Sequence, residues 1–434
     1  MSRSSLALSN LRGYAIVMVV AFHAFIAYLG SQPASPLPFD EPPFGWRANP
    51  IVDSARWFGF DLFCAFQYIY LMHLLFFLSG LFVWPSLSRK GARTFLYDRL
   101  VRIGVPFAVG LYVLMPLSYY PVYRVTAVDP SWSAFWSHWT ALPFWPSGPM
   151  WFLWVLLLFN VAAAALFWLA PHAGEVLGRL SGNAGLYPGR FFLALVSISA
   201  VAYLPLSAVF APWEWAQFGP FALQPSLAPQ YAIYFFAGLG IGAFGLERGL
   251  LEPDGMLAQR CWRWLAGTGA AFLLWIVPTA LIVNGTSLPG LQILADLGFL
   301  LCAPSACFAL VGLFLHTTRR HRPVLESLAD NTYGIYLVHY VFVLWLQYFL
   351  LGVALFAVAK AAIVFTGALA LSWATTAAVC HLPIGARLMG RKPRELVRAR
   401  GRRQPVIAGL DPAIHPLRKK SSYDGDGPAG QARG

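Results

Sequence analysis

Charge is what this chain has least of. Only 11% of its 434 residues are Asp, Glu, Lys or Arg, and only 18 of them are acids, where a soluble domain carries roughly 25% charged residues. With 58% apolar residues, a water-soluble globule is excluded, and so is a disordered chain, which needs low hydrophobicity and high charge. Cysteine is scarce as well: the five cysteines sit in or beside apolar runs, without C-x-x-C spacing or histidines at zinc-like spacing, so neither a disulfide framework nor a metal site is expected. Alternation of apolar and polar residues is missing too, which excludes an outer-membrane barrel. What is left is an all-α polytopic membrane protein.

A spanning helix needs about 20 apolar residues. Ten runs of about that length lie near 13–30, 58–85, 103–120, 149–170, 191–210, 231–247, 264–284, 291–315, 331–352 and 357–380. Basic connections stay cytoplasmic, and with the N-terminus inside the inner segments hold 27 Lys/Arg against 4 in the outer ones. Both termini are therefore expected in the cytoplasm. The first run is longer than the apolar part of a usual signal peptide, so it is expected to remain as a span.

The net charge of +13 is concentrated at the end of the chain: residues 381–434 carry 12 Lys/Arg and 4 Asp/Glu. This divides the chain into a ten-helix membrane domain, 1–380, and a basic, disordered cytoplasmic tail, 381–434, whose first part suits anionic lipid heads. No aromatic interleaving supports nucleic-acid binding. The last stretch, QPVIAGLDPAIHPLRKKSSYDGDGPAG, resembles a translated repetitive element appended to bacterial reading frames.

Ionisable groups at membrane depth are expensive and are functional candidates by default. His23 is the first of them. Arg12 lies eleven residues earlier, three helical turns plus roughly 20°, so the two share a face about 16 Å apart along the axis. That spacing puts Arg12 at the cytoplasmic mouth and His23 near the midplane. Taken singly, Arg12 reads as a positive-inside flank and His23 equally well as a packed imidazole.

The segment LRGYAIVMVVAFHAF (11–25) resembles the opening of the membrane acyltransferase 3 family, marked by an Arg, ten residues and a His. FFLSG (76–80), YDRLVRIGVP (97–106), MWFLWVLLLF (150–159) and NTYGIYLVHY (331–340) follow in the family's order. The chain departs from its relatives at Asp98, where they often carry a basic residue, and in the separation of GFDLF (59–63) from FFLSG.

The resemblance implies an O-acyltransferase of a bacterial inner membrane, moving an acyl group from cytoplasmic acyl-coenzyme A to a hydroxyl of an extracytoplasmic glycan or related acceptor. No permanently bound cofactor is implied; acyl-coenzyme A is the donor. His23 is the expected general base with Arg12 its companion, and Arg12, Arg99 and Arg102 are expected at the coenzyme A phosphates, as charge-assisted donors. A neutral imidazole suits removal of a hydroxyl proton. Ser79, Tyr336 and His339 are candidates for oxyanion donors, and His73 and His339 for a second acid/base or a partner of His23. Gly80 reads as a close helix crossing. Trp132, Trp136 and Trp139, on one helical face, read as an interfacial helix, or else as a platform for sugar rings. The alternative from another class is a glycan or lipid-precursor transporter or flippase, which unpaired acids such as Asp61 and Asp296 would favour.

Overall fold

The computed structural model describes residues 2–388. Helix α1 (Arg3–Ile26) is joined by a long connection to α2 (Phe58–Gly80), which runs on into α3 (Val83–Lys90). The third crossing consists of α4 (Ala92–Arg99), α5 (Val105–Val109) and α6 (Met115–Thr126), joined by two π-helical turns. Then come α7 (Trp132–Ala141), α8 (Trp151–Leu169), α9 (Ala173–Gly182) and α10 (Pro188–Ser207). A small antiparallel hairpin, β1 (Ala216–Phe218) and β2 (Phe221–Leu223), precedes α11 (Ala228–Phe244). The chain continues as α12 (Met256–Gln259), α13 (Cys261–Val283), α14 (Leu291–Thr317), α15 (Pro323–Leu350), α16 (Ala357–Val379) and α17 (Pro383–Leu388). The tail expected over 381–434 lies, from residue 389 onward, outside the described residues.

Among the described residues nine helices are long and apolar enough to cross a bilayer. The segment expected at 231–247 is α11, whose 17 residues rise about 25 Å, short of a ~30 Å hydrocarbon core. Its length matters less than its packing, because α11 lies against α2 with almost no gap. A Cβ placed on Gly80 would sit 2.0 Å from the Phe235 carbonyl oxygen, one on Gly238 2.1 Å from that of Phe77, and one on Gly242 1.9 Å from that of Leu81. Gly80 is thus a crossing residue, and Gly238 and Gly242 repeat the small-xxx-small spacing that lets membrane helices touch backbone to backbone. Gly238→Leu is expected to force α2 and α11 apart, seen as loss of the monodisperse peak in size-exclusion chromatography; an unchanged peak and melting temperature would refute the crossing.

Prolines shape the third crossing. In the π turn Gly110–Leu114, where bonds run five residues back, the Leu111 carbonyl faces Pro116, which has no N–H. In α6 the Leu117 carbonyl likewise faces Pro121, and the Arg102 carbonyl belongs to the other π turn, Leu100–Gly104. Each of these oxygens takes a donor from an aromatic side chain: Trp145 Nε1 donates to Leu111 O at 2.9 Å, Trp345 Nε1 to Leu117 O at 3.0 Å, and the Tyr333 hydroxyl to Arg102 O. Two of the three donors are on α15, so proline placement in one crossing fixes the height of another.

Candidate active site

Helix α1 begins earlier than the apolar run suggests. The Ser2 hydroxyl accepts from the Ser5 N–H and caps it, and Leu6, Ala7 and Leu8 are buried. Arg12 is therefore the tenth and His23 the twenty-first of 24 helical residues. Along the helix, Arg12 is thus central and His23 lies within the last turn, because the serine-rich start belongs to the helix and not to a flank.

The last carbonyls of a helix lack intrahelical partners, and here they position His23. Gln347 of α15 donates to His23 O (2.9 Å) and Ala24 O (3.1 Å), and Gln32 donates to Ile26 O. From the first turn of α2, Asp61 accepts the N–H groups of Gly30 (2.6 Å) and Ser31 (3.0 Å). Asp61 thus ties down the turn that follows α1.

His23 Nδ1 lies 2.9 Å from Val19 O. A carbonyl only accepts, so the proton sits on Nδ1 and the lone pair on Nε2, for which no partner is found among the described residues. His339 follows the same logic. Its Nδ1 is 2.7 Å from Tyr336 O, which leaves its Nε2 as an acceptor 3.3 Å from His23 Nδ1. Two neutral imidazoles, 316 residues apart in sequence, thus meet with ring centroids 5.1 Å apart. Tyr340 meets the His23 ring edge-on at 5.2 Å, and its hydroxyl donates to that of Tyr119 at 3.4 Å.

A family model described as an acyltransferase domain matches residues 5–377. The chain belongs to the membrane acyltransferase 3 family. No curated protein and no solved structure matches it. The match runs from α1 through α16, so the histidine pair and the three arginines all fall inside the acyltransferase domain of this multi-pass membrane protein.

Arg12 and the Arg102 backbone meet the same stretch of α15. Asp330 on α15 acts electrostatically on Arg12, and Tyr333, one turn further along α15, holds the Arg102 backbone. Arg12 lies over the Phe82 ring (5.9 Å) and Arg99 over the Phe95 ring (4.8 Å), both buried. Asp98, the departure from the family pattern, is paired with Lys90 at 2.7 Å. From the Arg102 level, Tyr333 to His339 is six residues of α15, about 9 Å. The basic end and the imidazoles therefore occupy successive levels of one helix pair.

The proposed oxyanion donors are spoken for. The Ser79 hydroxyl donates to Leu75 O at 2.8 Å, that of Tyr336 to Pro149 O, and the His339 N–H to Tyr336 O. None has a proton to spare, because a hydroxyl in an apolar surrounding takes the nearest carbonyl. His73 does not join His23 either; it sits between α2, α11 and α14 with Nε2 2.9 Å from Gln230 Oε1 and Tyr231, Tyr234 and Phe299 around its ring. Asp296 accepts from Tyr203 (3.3 Å) and Gln292 (3.2 Å). Missed from the sequence were Gln347, Tyr119 and Tyr340. A glutamine inside an apolar span was the visible signal; the tyrosines gave none apart from the packing.

The connection 27–57 folds over this end of the bundle. Trp46 is fully buried, stacked on Phe39 (4.6 Å) and edge-on to Tyr119 (5.1 Å). Asp53 forms an ion pair with Lys360 of α16 at 2.7 Å, with side chains only 2% and 1% exposed. Arg47 lies over Phe144 (4.5 Å) and donates to Gln217 (3.3 Å); burial lowers its pKa, and Tyr119 opposes the shift. Helix α7 closes the side: Trp139 is buried against Tyr119, while Trp132 and Trp136 stay exposed. The tryptophan face is therefore split between core and surface.

Proposed function

We propose that this acyltransferase moves an acyl group from acyl-coenzyme A to a hydroxyl of a glycan or related acceptor across the inner membrane of a bacterium, with His23 as general base. The observation that carries the reading is the His23 tautomer: Val19 O holds the Nδ1 proton, so Nε2 offers a lone pair. In the proposed step Nε2 takes the acceptor's hydroxyl proton, and the oxygen attacks the thioester carbon. The tetrahedral adduct collapses with cleavage of the C–S bond, and the imidazolium returns its proton to the leaving thiolate. His339 Nε2 receives the Nδ1 proton's hydrogen bond more strongly once His23 is charged, which favours that state, as an orienting partner does in other base-assisted acyl transfers.

With α11 counted as a tenth crossing, the arginine-rich end and both chain termini face the cytoplasm in this reading. Coenzyme A would present its phosphates to Arg12, Arg99 and Arg102 there, and its thin arm would carry the thioester toward His23. The transporter reading loses its support with the acids: Asp61 is engaged by two backbone N–H groups and Asp296 by two side chains.

Incubation of detergent-purified protein with labelled acyl-coenzyme A is expected to give label transfer to an added hydroxyl acceptor or slow thioester hydrolysis. Inert, folded protein would sink the proposal. Arg99→Ala is expected to weaken donor binding about ten- to a hundredfold, the worth of a lost charge-assisted bond. Arg99→Lys should recover part of this, because the ammonium keeps the charge but loses the planar fork that lies over Phe95. Equal donor affinity in all three proteins, measured by equilibrium binding, would remove Arg99 from the site.

A further inference from the structure

Away from the histidine pair, a trough of about 860 Å³ runs between α10, α13 and α14. Phe192, Trp264, Leu274 and Leu301 are among its lining, and a Cβ added at Gly189 or Gly267, also in its wall, would meet nothing within 4 Å. Helices α10 and α13 are the least buried of the candidate spans, at 17% each, so in a membrane the trough opens sideways to hydrocarbon. Its occupant therefore has an apolar body.

One end of the trough is of opposite character. Arg190, Arg260 and Arg263 stand there, all exposed, and its lining contains no acid. Arg190 lies over the Tyr187 ring, with 4.4 Å from guanidinium to ring centroid, which limits its freedom before any ligand arrives. Of the two acids in the adjacent turn, Asp254 is taken by Arg3 at 2.9 Å, and Glu252 lies outside the lining. Three guanidiniums above an apolar trough call for an anion attached to hydrocarbon chains.

We propose that this trough is a binding site for an anionic glycerophospholipid, its phosphate on Arg190, Arg260 and Arg263 and its chains along Phe192, Trp264 and Leu301. A zwitterionic lipid has the same phosphate and chains, but its ammonium meets three like charges. Selectivity for net negative charge is therefore the signature. The site shares no residue with the proposed acyl-transfer chemistry, and its occupancy is measured without any turnover.

The full-length protein, stripped of lipid in detergent and re-equilibrated with equal phosphatidylglycerol and phosphatidylcholine, is the test, read by native mass spectrometry. Phosphatidylglycerol should be retained preferentially, by about fivefold for each guanidinium that engages the extra negative charge. Arg190→Ala/Arg263→Ala should erase roughly tenfold or more of that preference, and Gly267→Trp should expel both lipids with the arginines intact. Equal retention of the two lipids by the unaltered protein would overturn the proposal without any variant. Displacement of phosphatidylglycerol by free coenzyme A would overturn it too, by assigning the trough to the acyl donor.

Discussion

His23→Asn lowers acyl transfer by about 10²-fold or more, the contribution of a positioned base, while acyl-coenzyme A still binds. Asparagine is similar in size and polar, and the carbonyls of His23 and Ala24 that Gln347 holds are backbone groups, so α1 keeps its anchorage. What disappears is the lone pair on Nε2. His339→Phe tests the partner: it keeps a ring against Tyr336 and Tyr340 but removes the acceptor 3.3 Å from His23 Nδ1. Its effect should be smaller and should appear in kcat and in the pH profile, with donor affinity unchanged. Near-normal transfer by folded His23→Asn protein would move the base elsewhere, and His73, in its separate cluster, would be the next histidine to replace.

Lys360→Met should destabilise the protein by about 3 to 5 kcal/mol, because it leaves the Asp53 carboxylate buried without its counter-charge. Asp53 also accepts the Ala55 N–H at 2.8 Å, and its own N–H donates to Ala27 O at 3.2 Å. A loosened Asp53 therefore frees both the connection 27–57 and the turn after α1. Removing both charges, as Asp53→Asn/Lys360→Met, should restore most of the melting temperature, since the desolvation cost of the ion goes with it. If the double variant melts as low as the single one, the pair is not what anchors the connection. Activity should follow the same order, because the roof it holds down covers the end of α1 that carries His23.

The spans were readable because apolar runs long enough to cross the hydrocarbon core are rare outside membranes, and the Arg12 to His23 relation because it depends only on helical pitch. The start of α1 was misread because Ser2, Ser4 and Ser5 looked like flanking chain, yet Ser2 caps the helix and Ser4 donates to Leu251 O at 3.0 Å. A partner for His23 was open to suspicion from the histidines inside apolar spans, which offered His73 as readily as His339. Its geometry was not, since it is set by Gln347 and by carbonyls of the third crossing more than two hundred residues away. Oxyanion donors were assigned by residue type, and type does not reveal that a hydroxyl such as that of Tyr336 has already found a carbonyl. The Gly238 and Gly242 spacing was visible in the sequence and went unread.

The side-chain donors to the carbonyls of the third crossing also set an order of assembly. A backbone oxygen without a donor costs several kcal/mol in hydrocarbon, and the side chains that donate to Arg102 O and Leu117 O lie 231 and 228 residues further along the chain. The third crossing is therefore an incomplete membrane helix for most of synthesis, dependent on water or on a neighbouring chain until α15 arrives. Docking of α15 closes those sites and brings His339 to His23 in the same movement. The protein acquires its histidine pair only when its most awkward helix becomes compatible with lipid.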